Sequence, residues 1–144
     1  MRIPPTLAPQ VSWDLDFPEI RRQPEAYAGR VVALGGIVMR VEAADKGYRV
    51  LVSELPLDPG RHRPLANQPP RGLFLLILPG SEFFPSDLRP GVEMTVVGEI
   101  LGKAAATGPV SAEVMPLIEE RHTHVWGSFW RPQIYIGIGG GVSI

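Results

Sequence analysis

The chain has 144 residues, 44% of them apolar, and its 14 basic side chains nearly balance 15 acidic ones. This composition is typical of one folded globular domain, and it disfavours nucleic acid as a partner because nucleic-acid binding calls for a strongly basic face. These residues include no cysteine, which excludes disulfides, thiolate metal sites and a cysteine nucleophile within them.

The N-terminal 30 residues are rich in proline and predict irregular structure, with at most one short helical turn at residues 24–28. Beyond them the pattern changes to short β-branched and apolar runs separated by turn residues, which predicts strands. The longest interruption, residues 58–72, holds four prolines and predicts a loop. The five predicted strands cover residues 30–42, 48–57, 73–78, 92–101 and 111–126, with a weak helical turn in residues 81–88.

Two of these strands carry further expectations. Residues 73–78 are continuously apolar, which is typical of a fully buried strand. The fifth predicted strand contains Pro116, which cannot donate a backbone hydrogen bond, so we expect it at a sheet edge or beside a bulge.

Three glycines, Gly35, Gly36 and Gly98, lie inside predicted strands. Such glycines mark a bulge, a sharp bend or a close backbone approach. We expect a bulge or a positive φ at Gly35 or Gly36, in a first strand bent strongly enough to serve both halves of a sheet. The fold class predicted is all-β: a small five- to six-stranded OB-like Greek-key barrel, with a plain β-sandwich as the alternative.

Several phrases together resemble the Slp family of starvation-inducible outer-membrane lipoproteins, over roughly residues 13 to 130. The specific pattern is Tyr-x-Gly before a Gly-Gly strand, then a Pro-Leu-Asp turn, a glycine-containing strand, a proline and a terminal tryptophan. The phrases are YAGRVVALGGIV at 27–38, SELPLD at 53–58, LFLLILPG at 73–80, PSDLRPGVEMTVVGEILG at 85–102 and VMPLIEERHTHVW at 114–126.

The resemblance implies a lipid-anchored protein on the periplasmic side of the bacterial outer membrane, linked to stationary phase and stress. Family members begin with a signal peptide and a lipid-modified cysteine, and this sequence has neither, so Met1 is either the natural start or replaces them. On this basis we expect a proline-rich N-terminal segment (1–26) that follows the anchor as a linker, an OB-like β-barrel domain (27–128) and an apolar, glycine-rich tail (129–144).

One candidate site lies on the fifth strand, where strand alternation places Glu120, His122, His124 and Trp126 on one face. Two imidazoles and a carboxylate at this spacing suit zinc or another divalent ion. The competing interpretation is a solvated polar face beside the tryptophan. His62 offers a third nitrogen, but no sequence feature brings it close.

A second candidate is basic: Arg61, Arg63 and Arg71 lie on the long loop with His62. They suit an anionic partner such as lipid headgroups or an acidic glycan. The alternative is a solvated, mobile loop.

The third candidate is aromatic, formed by Trp126, Phe129, Trp130 and Tyr135 at the start of the apolar tail. These side chains suit a membrane interface, an envelope protein partner or self-association. A disordered terminus is the alternative.

No signature of a nucleophile elbow, a zinc protease or a phosphate-binding loop is present in these residues. We therefore predict a non-enzymatic envelope protein that binds or scaffolds and uses no cofactor. Two other readings stay open: a soluble OB-type module that binds oligosaccharide or nucleic acid, and a metal-dependent enzyme using His122 and His124.

Overall fold

The structure is a computed structural model that describes residues 1–80, 87–105 and 114–128. Within these ranges five strands form one closed barrel in the order β1-β2-β3-β5-β4, so the all-β prediction is confirmed. A short helix, α1 (Phe17–Arg22), precedes the barrel, with single 3₁₀ turns at Ala8–Gln10 and Pro24–Tyr27. The strands are β1 (Val31–Ala44), β2 (Gly47–Leu55), β3 (Gly72–Pro79), β4 (Val92–Ala105) and β5 (Val114–Ser128).

The barrel combines antiparallel neighbours with one parallel pair. Strands β1, β2 and β3 pair antiparallel in succession, and β4 pairs antiparallel with both β1 and β5. The barrel closes where residues 75–77 of β3 pair parallel with residues 117–119 of β5. All five predicted strands are present, whereas the helical turn expected in residues 81–88 falls mostly outside the described residues.

Strand β1 serves both halves of the barrel. It pairs with β4 through residues 31–37 and with β2 through residues 35–44, so Gly35 and Gly36 have a strand on each side. A Cβ on Gly36 would lie 2.0 Å from the Ser53 carbonyl oxygen, and one on Gly35 would lie 2.7 Å from that of Met94. The glycines are therefore explained by close backbone approach.

The bulge or positive φ expected at Gly35 or Gly36 is wrong. Neither residue has a positive φ, and the register shift of β1 falls between Val38 and Arg40, beyond the glycines. The neighbouring strands crowd both glycines so closely that a side chain would not fit. This crowding requires glycine but allows ordinary extended dihedrals, so neither a bulge nor a positive φ is needed. Gly98 of β4 is similar: a Cβ there would lie 2.6 Å from the Glu119 carbonyl oxygen.

Strand β3 is buried on one face only, which corrects the expectation of a fully buried strand. Phe74, Leu76 and Leu78 enter the core, whereas the residues between them are half-buried. A barrel strand has an inner and an outer face, and an apolar outer face made the run look continuous.

Pro116 lies at the end of the pairing between β5 and β3. It pairs with Lys103 of β4, whereas the pairing of β5 with β3 covers only residues 117–119. The register against β4 shifts at Leu101, between the partners of Leu117 and Ile118, so a bulge lies close to Pro116 as well. This position agrees with the expectation of an edge or a nearby bulge.

Helix α1 corrects the expectation that residues 1–30 are irregular apart from the turn near Pro24. Asp16 caps it by accepting a hydrogen bond from the Phe17 N–H at 2.9 Å. Phe17 and Ile20 are fully buried in the barrel core, and the Phe17 ring lies 6.2 Å from that of Phe74. The N-terminal segment is thereby held against the barrel.

The division of the chain into an N-terminal segment, a barrel domain and a tail, with boundaries at residues 26 and 128, stays a prediction. No described helix is long and apolar enough to cross a membrane.

Candidate functional site

The segment joining β2 and β3, residues 56–71, is called the β2–β3 loop. It folds back on itself through backbone hydrogen bonds: the Asp58 N–H donates to the Arg63 carbonyl at 2.8 Å, and the Leu65 N–H donates to that of Pro56 at 2.8 Å. The Asp58 carboxylate also accepts from the N–H groups of Gly60 and Arg61. This Asp-centred turn gives the loop a defined shape.

One end of the loop is fixed by an ion pair. Arg71 donates from Nε and Nη2 to the two carboxylate oxygens of Glu54, at 2.9 and 2.8 Å, and the Glu54 side chain is only 2% exposed. A third bond joins Arg71 Nη1 to Asp16, the residue that caps α1, at 3.2 Å. Burial raises the pKa of Glu54 above its ordinary value, and the guanidinium opposes this shift. Arg71 therefore connects the loop, β2 and the N-terminal segment.

A second ion pair fixes the middle of the loop. Arg63 Nε donates to Glu93 of β4 at 2.9 Å, and the Glu93 side chain is 5% exposed. This hydrogen bond raises the pKa of Arg63. The same guanidinium lies 5.6 Å from the centroid of the Trp126 ring, within cation–π range.

A fully buried hydroxyl extends this contact. Thr95 Oγ1 donates to the His62 carbonyl at 2.6 Å and accepts from Trp126 Nε1 at 2.9 Å. The hydroxyl thus links the loop, β4 and β5, because it donates one hydrogen bond and accepts another.

The predicted basic cluster is divided by these contacts. Arg63 and Arg71 are paired with buried carboxylates, whereas Arg61 is exposed and its carbonyl accepts a hydrogen bond from the Met1 amine at 3.1 Å. Two of the three arginines therefore have a structural role. Binding of an anionic partner by the cluster stays a prediction.

The strand face proposed for a metal is interrupted by a bulge in β5. The register against β4 shifts so that no β4 residue lies opposite Arg121. Glu120 is buried beside Thr123, whose hydroxyl donates a hydrogen bond to the Glu120 carboxylate at 2.8 Å. The bulge reverses the alternation, so Glu120 does not share a face with His122 and His124. Within the three described ranges no three His, Asp or Glu side chains are grouped to hold a metal ion.

The aromatic candidates fall partly outside the described residues, namely Phe129, Trp130 and Tyr135. Trp126 is described and half-buried, with its N–H bonded to Thr95 and its ring 4.2 Å from that of His124. Burial lowers the pKa of His124. The interface role of these aromatics stays a prediction.

A cavity of about 390 Å³ opens between residues 12–17, β1 and the β2–β3 loop. Its volume lies within the range of small-molecule sites, roughly 300–1,000 Å³. The Trp13 indole, 54% exposed, stacks on the His62 imidazole at its edge, with ring centroids 4.8 Å apart and planes 22° apart. Asp16, Glu54, Asp58 and Arg71 supply its charged groups.

Sequence reasoning missed this cavity. Trp13 stood in a segment that looked irregular, and His62 was considered only as a distant metal ligand. The two residues are 49 positions apart in the sequence, and no local pattern marks their contact. The positive φ of His62, 63°, has no sequence signal either.

The fold and the cavity define a class: a closed five-stranded β-barrel domain with a ligand-sized cleft under its longest described loop. The chain belongs to the outer membrane lipoprotein Slp family, whose family model matches residues 1–137. Membership confirms the resemblance and assigns the protein to the bacterial outer membrane, with association through a lipid anchor. No curated protein and no solved structure matches the chain.

Proposed function

We propose that this protein is a non-enzymatic binding or scaffolding module of the bacterial envelope, held on the periplasmic side of the outer membrane. The observation that carries the proposal is the preformed cleft between the N-terminal segment and the β2–β3 loop. Both walls are fixed to the barrel by Arg71 and its two carboxylate partners. Because these ion pairs fix the walls, the cleft is preorganised. A preorganised surface loses less conformational entropy when a ligand binds, so the cleft suits a binding role. The family's link to stationary phase and stress is part of the proposal.

The barrel is proposed to be of the OB type. Its support is the strand order β1-β2-β3-β5-β4, closed on β1, with β3 and β5 as a parallel pair. OB domains are five-stranded Greek-key barrels that bind ligands through strands and loops. The fold therefore suits a binding role.

The C-terminal tail is proposed to dock on the membrane surface. Residues 129–144 include Phe129, Trp130, Tyr135 and four isoleucines, with Arg131 as the one charged residue. Burial of apolar surface contributes roughly 25 cal/mol per Å², which amounts to several kcal/mol before ordering costs. That supports weak, reversible docking, which a lipid anchor strengthens by raising the local concentration.

Truncation after Ser128 tests this docking. We expect the 144-residue chain to sediment with phosphatidylethanolamine–phosphatidylglycerol vesicles and the truncated chain to remain in the supernatant. A full-length variant with serine at Phe129, Trp130 and Tyr135 is the matched control for chain length, and it should behave like the truncated chain. Light scattering on all three separates docking from self-association. Equal sedimentation of all three would remove the tail from the proposed function.

A further inference from the structure

The outer surface of β2, β3 and β5 carries a patch of aliphatic side chains. Alternate residues of β3 enter the core, so Leu73, Leu75 and Ile77 point outward, and all three are half-buried. The register places Leu51 of β2 and Leu117 of β5 on either side of Leu75. Both are half-buried as well. These five side chains are neighbours on three adjacent strands, and we call the patch the β3 face.

Leu101 of β4 extends the β3 face across a fourth strand. It is 42% exposed and lies in the β4 bulge, between the partners of Leu117 and Ile118. Single apolar residues are normal on a protein surface, whereas a contiguous apolar patch with a polar rim marks an interaction site. The charges of the rim then indicate the kind of partner.

The two borders of the β3 face carry opposite charge. On the β2 side, Arg49 is exposed and makes no ion pair with another described residue. The neighbouring cation and anion of β1 neutralise each other in an ion pair of 3.4 Å. On the β5 side, Arg121 pairs with both Glu99 and Glu119, so two carboxylates share one guanidinium. The β2 border is therefore net positive and the β5 border net negative.

This arrangement is complementary to itself. The register places Arg49 and Glu119 on opposite sides of Ile77, in one row across the three strands. If two copies pack face to face about a two-fold axis parallel to β3, the β2 border of each copy lies over the β5 border of the other. Arg49 of one copy then meets Glu119 of the second copy, twice by symmetry. A two-fold axis in the interface but perpendicular to β3 would place like charges together.

We propose that the β3 face is a self-association surface, through which two copies of this chain form a face-to-face dimer about an axis parallel to β3. The aliphatic side chains form the centre of the interface, and the two Arg49–Glu119 contacts set its orientation. This goes beyond the proposed function, because neither the cleft nor the tail takes part.

Other occupants match the borders less well. A membrane surface of one charge sign attracts one border and repels the other. The C-terminal tail has Arg131 as the one charged side chain of residues 129–144, so it would leave the positive border unmatched. A second copy neutralises both borders at once.

The size of the β3 face predicts a weak dimer. A face about 19 Å across four strand spacings and about 24 Å along seven residues measures roughly 450 Å². Two such faces bury roughly 900 Å², which is below the roughly 1,600 Å² of a standard stable interface. We therefore expect dissociation in the micromolar to millimolar range, and the test must reach high protein concentration.

Sedimentation equilibrium of the 144-residue chain, from about 10 μM to about 1 mM, should show a reversible monomer–dimer equilibrium. Leu75→Lys places a charge at the centre of the β3 face and should leave a monomer throughout this range. Trp13→Lys is the matched control. Trp13 is an exposed apolar residue that stacks on the β2–β3 loop and lies outside the β3 face, so this variant should dimerise as the unchanged chain does.

Charge reversal tests the orientation without altering the apolar centre. Arg49→Glu and Glu119→Arg should each weaken dimerisation about tenfold, because each sets like charges opposite one another. The Arg49→Glu, Glu119→Arg double variant restores opposite charges across the interface, so its dissociation constant should return to within about threefold of the unchanged value.

A monomer at every concentration would overturn the proposal, as would dimerisation that Leu75→Lys leaves unchanged or a double reversal that fails to restore it. If the full chain were monomeric and the chain ending at Ser128 dimeric, the tail would be the occupant of the β3 face, and the proposal would be wrong. Loss of vesicle sedimentation in Leu75→Lys without loss of dimerisation would assign the face to the membrane and also overturn it. Dimerisation is measured without vesicles, so failure of the proposed membrane docking would leave this result unaffected.

Discussion

Replacing Arg71 with methionine is expected to lower the free energy of unfolding by about 3–5 kcal/mol, the usual cost of leaving a buried charge unpaired. Glu54 is 2% exposed, and both of its carboxylate oxygens accept hydrogen bonds from this guanidinium. Urea unfolding at neutral pH measures the change. Arg22→Met is the matched control, because Arg22 pairs with Glu19 on the surface, and such a pair contributes about 0–1 kcal/mol.

Removing both charges should recover most of the loss. A Glu54→Met, Arg71→Met double variant leaves no buried charge at this position, and apolar replacement of a buried pair is often neutral or stabilising. If Arg71→Met cost no more than Arg22→Met, the buried pair would have no part in holding the loop.

The cost of Arg71→Met should also depend on pH. Burial raises the pKa of Glu54 above its ordinary value of 4.5, and Arg71 is the group that opposes the shift. A raised pKa means that Glu54 binds its proton more tightly in the folded state than in the unfolded state. The stability that comes from this difference is present below pH 4.5 and is lost as the pH rises through the pKa of folded Glu54. Without Arg71 the folded pKa rises further. The variant's deficit should therefore shrink on acidification, and a constant deficit from pH 7 to pH 4.5 would contradict this explanation.

Gly36→Ala is expected to destabilise the barrel by about 3 kcal/mol or more, at the upper end of overpacking effects. The added methyl would lie 2.0 Å from the Ser53 carbonyl oxygen, a backbone atom that cannot move without disturbing the β1–β2 ladder. Thermal and urea unfolding both report the loss.

Gly60→Ala is the control for this substitution. Gly60 lies in the β2–β3 loop without a positive φ, and its added methyl would come no closer than 3.4 Å to a described atom, Asp58 Oδ2. We expect a change within about 0.5 kcal/mol, as for most surface substitutions. Equal effects of the two alanines would refute close backbone approach as the reason for Gly36.

The strands were predictable because their signals are local. Alternating apolar residues mark β2, and turn residues at 45–47 mark the hairpin that joins it to β1. Helix α1 also has local signals: Asp16 is an N-cap residue, followed by Pro18 and Glu19 in the first turn. However, its six residues are too few to show the periodic apolar pattern of a helix, so the capping signals alone did not predict α1.

The site was less predictable because its contacts join distant residues. Arg63 and Glu93 are 30 positions apart, and Arg71 and Glu54 are 17 apart, so the arginines looked free in the sequence. The bulge at Arg121 has no glycine in β5 itself, and Gly98, which lies beside the shift on β4, did not indicate that the opposite strand would bulge and move Glu120 away from the histidine face. Pairing partners and bulges depend on the whole barrel, which local patterns do not specify.

Amide hydrogen exchange in the β2–β3 loop tests most directly the central claim, that this loop is a fixed wall of the cleft. The N–H groups of Asp58, His62 and Leu65 donate to carbonyls within the loop, and that of Arg71 donates to Glu54. We predict that these four amides are protected to a degree approaching that of β2, because opening them requires breaking both ion pairs. Exchange at the rate of an unstructured peptide would show a mobile loop and contradict the account.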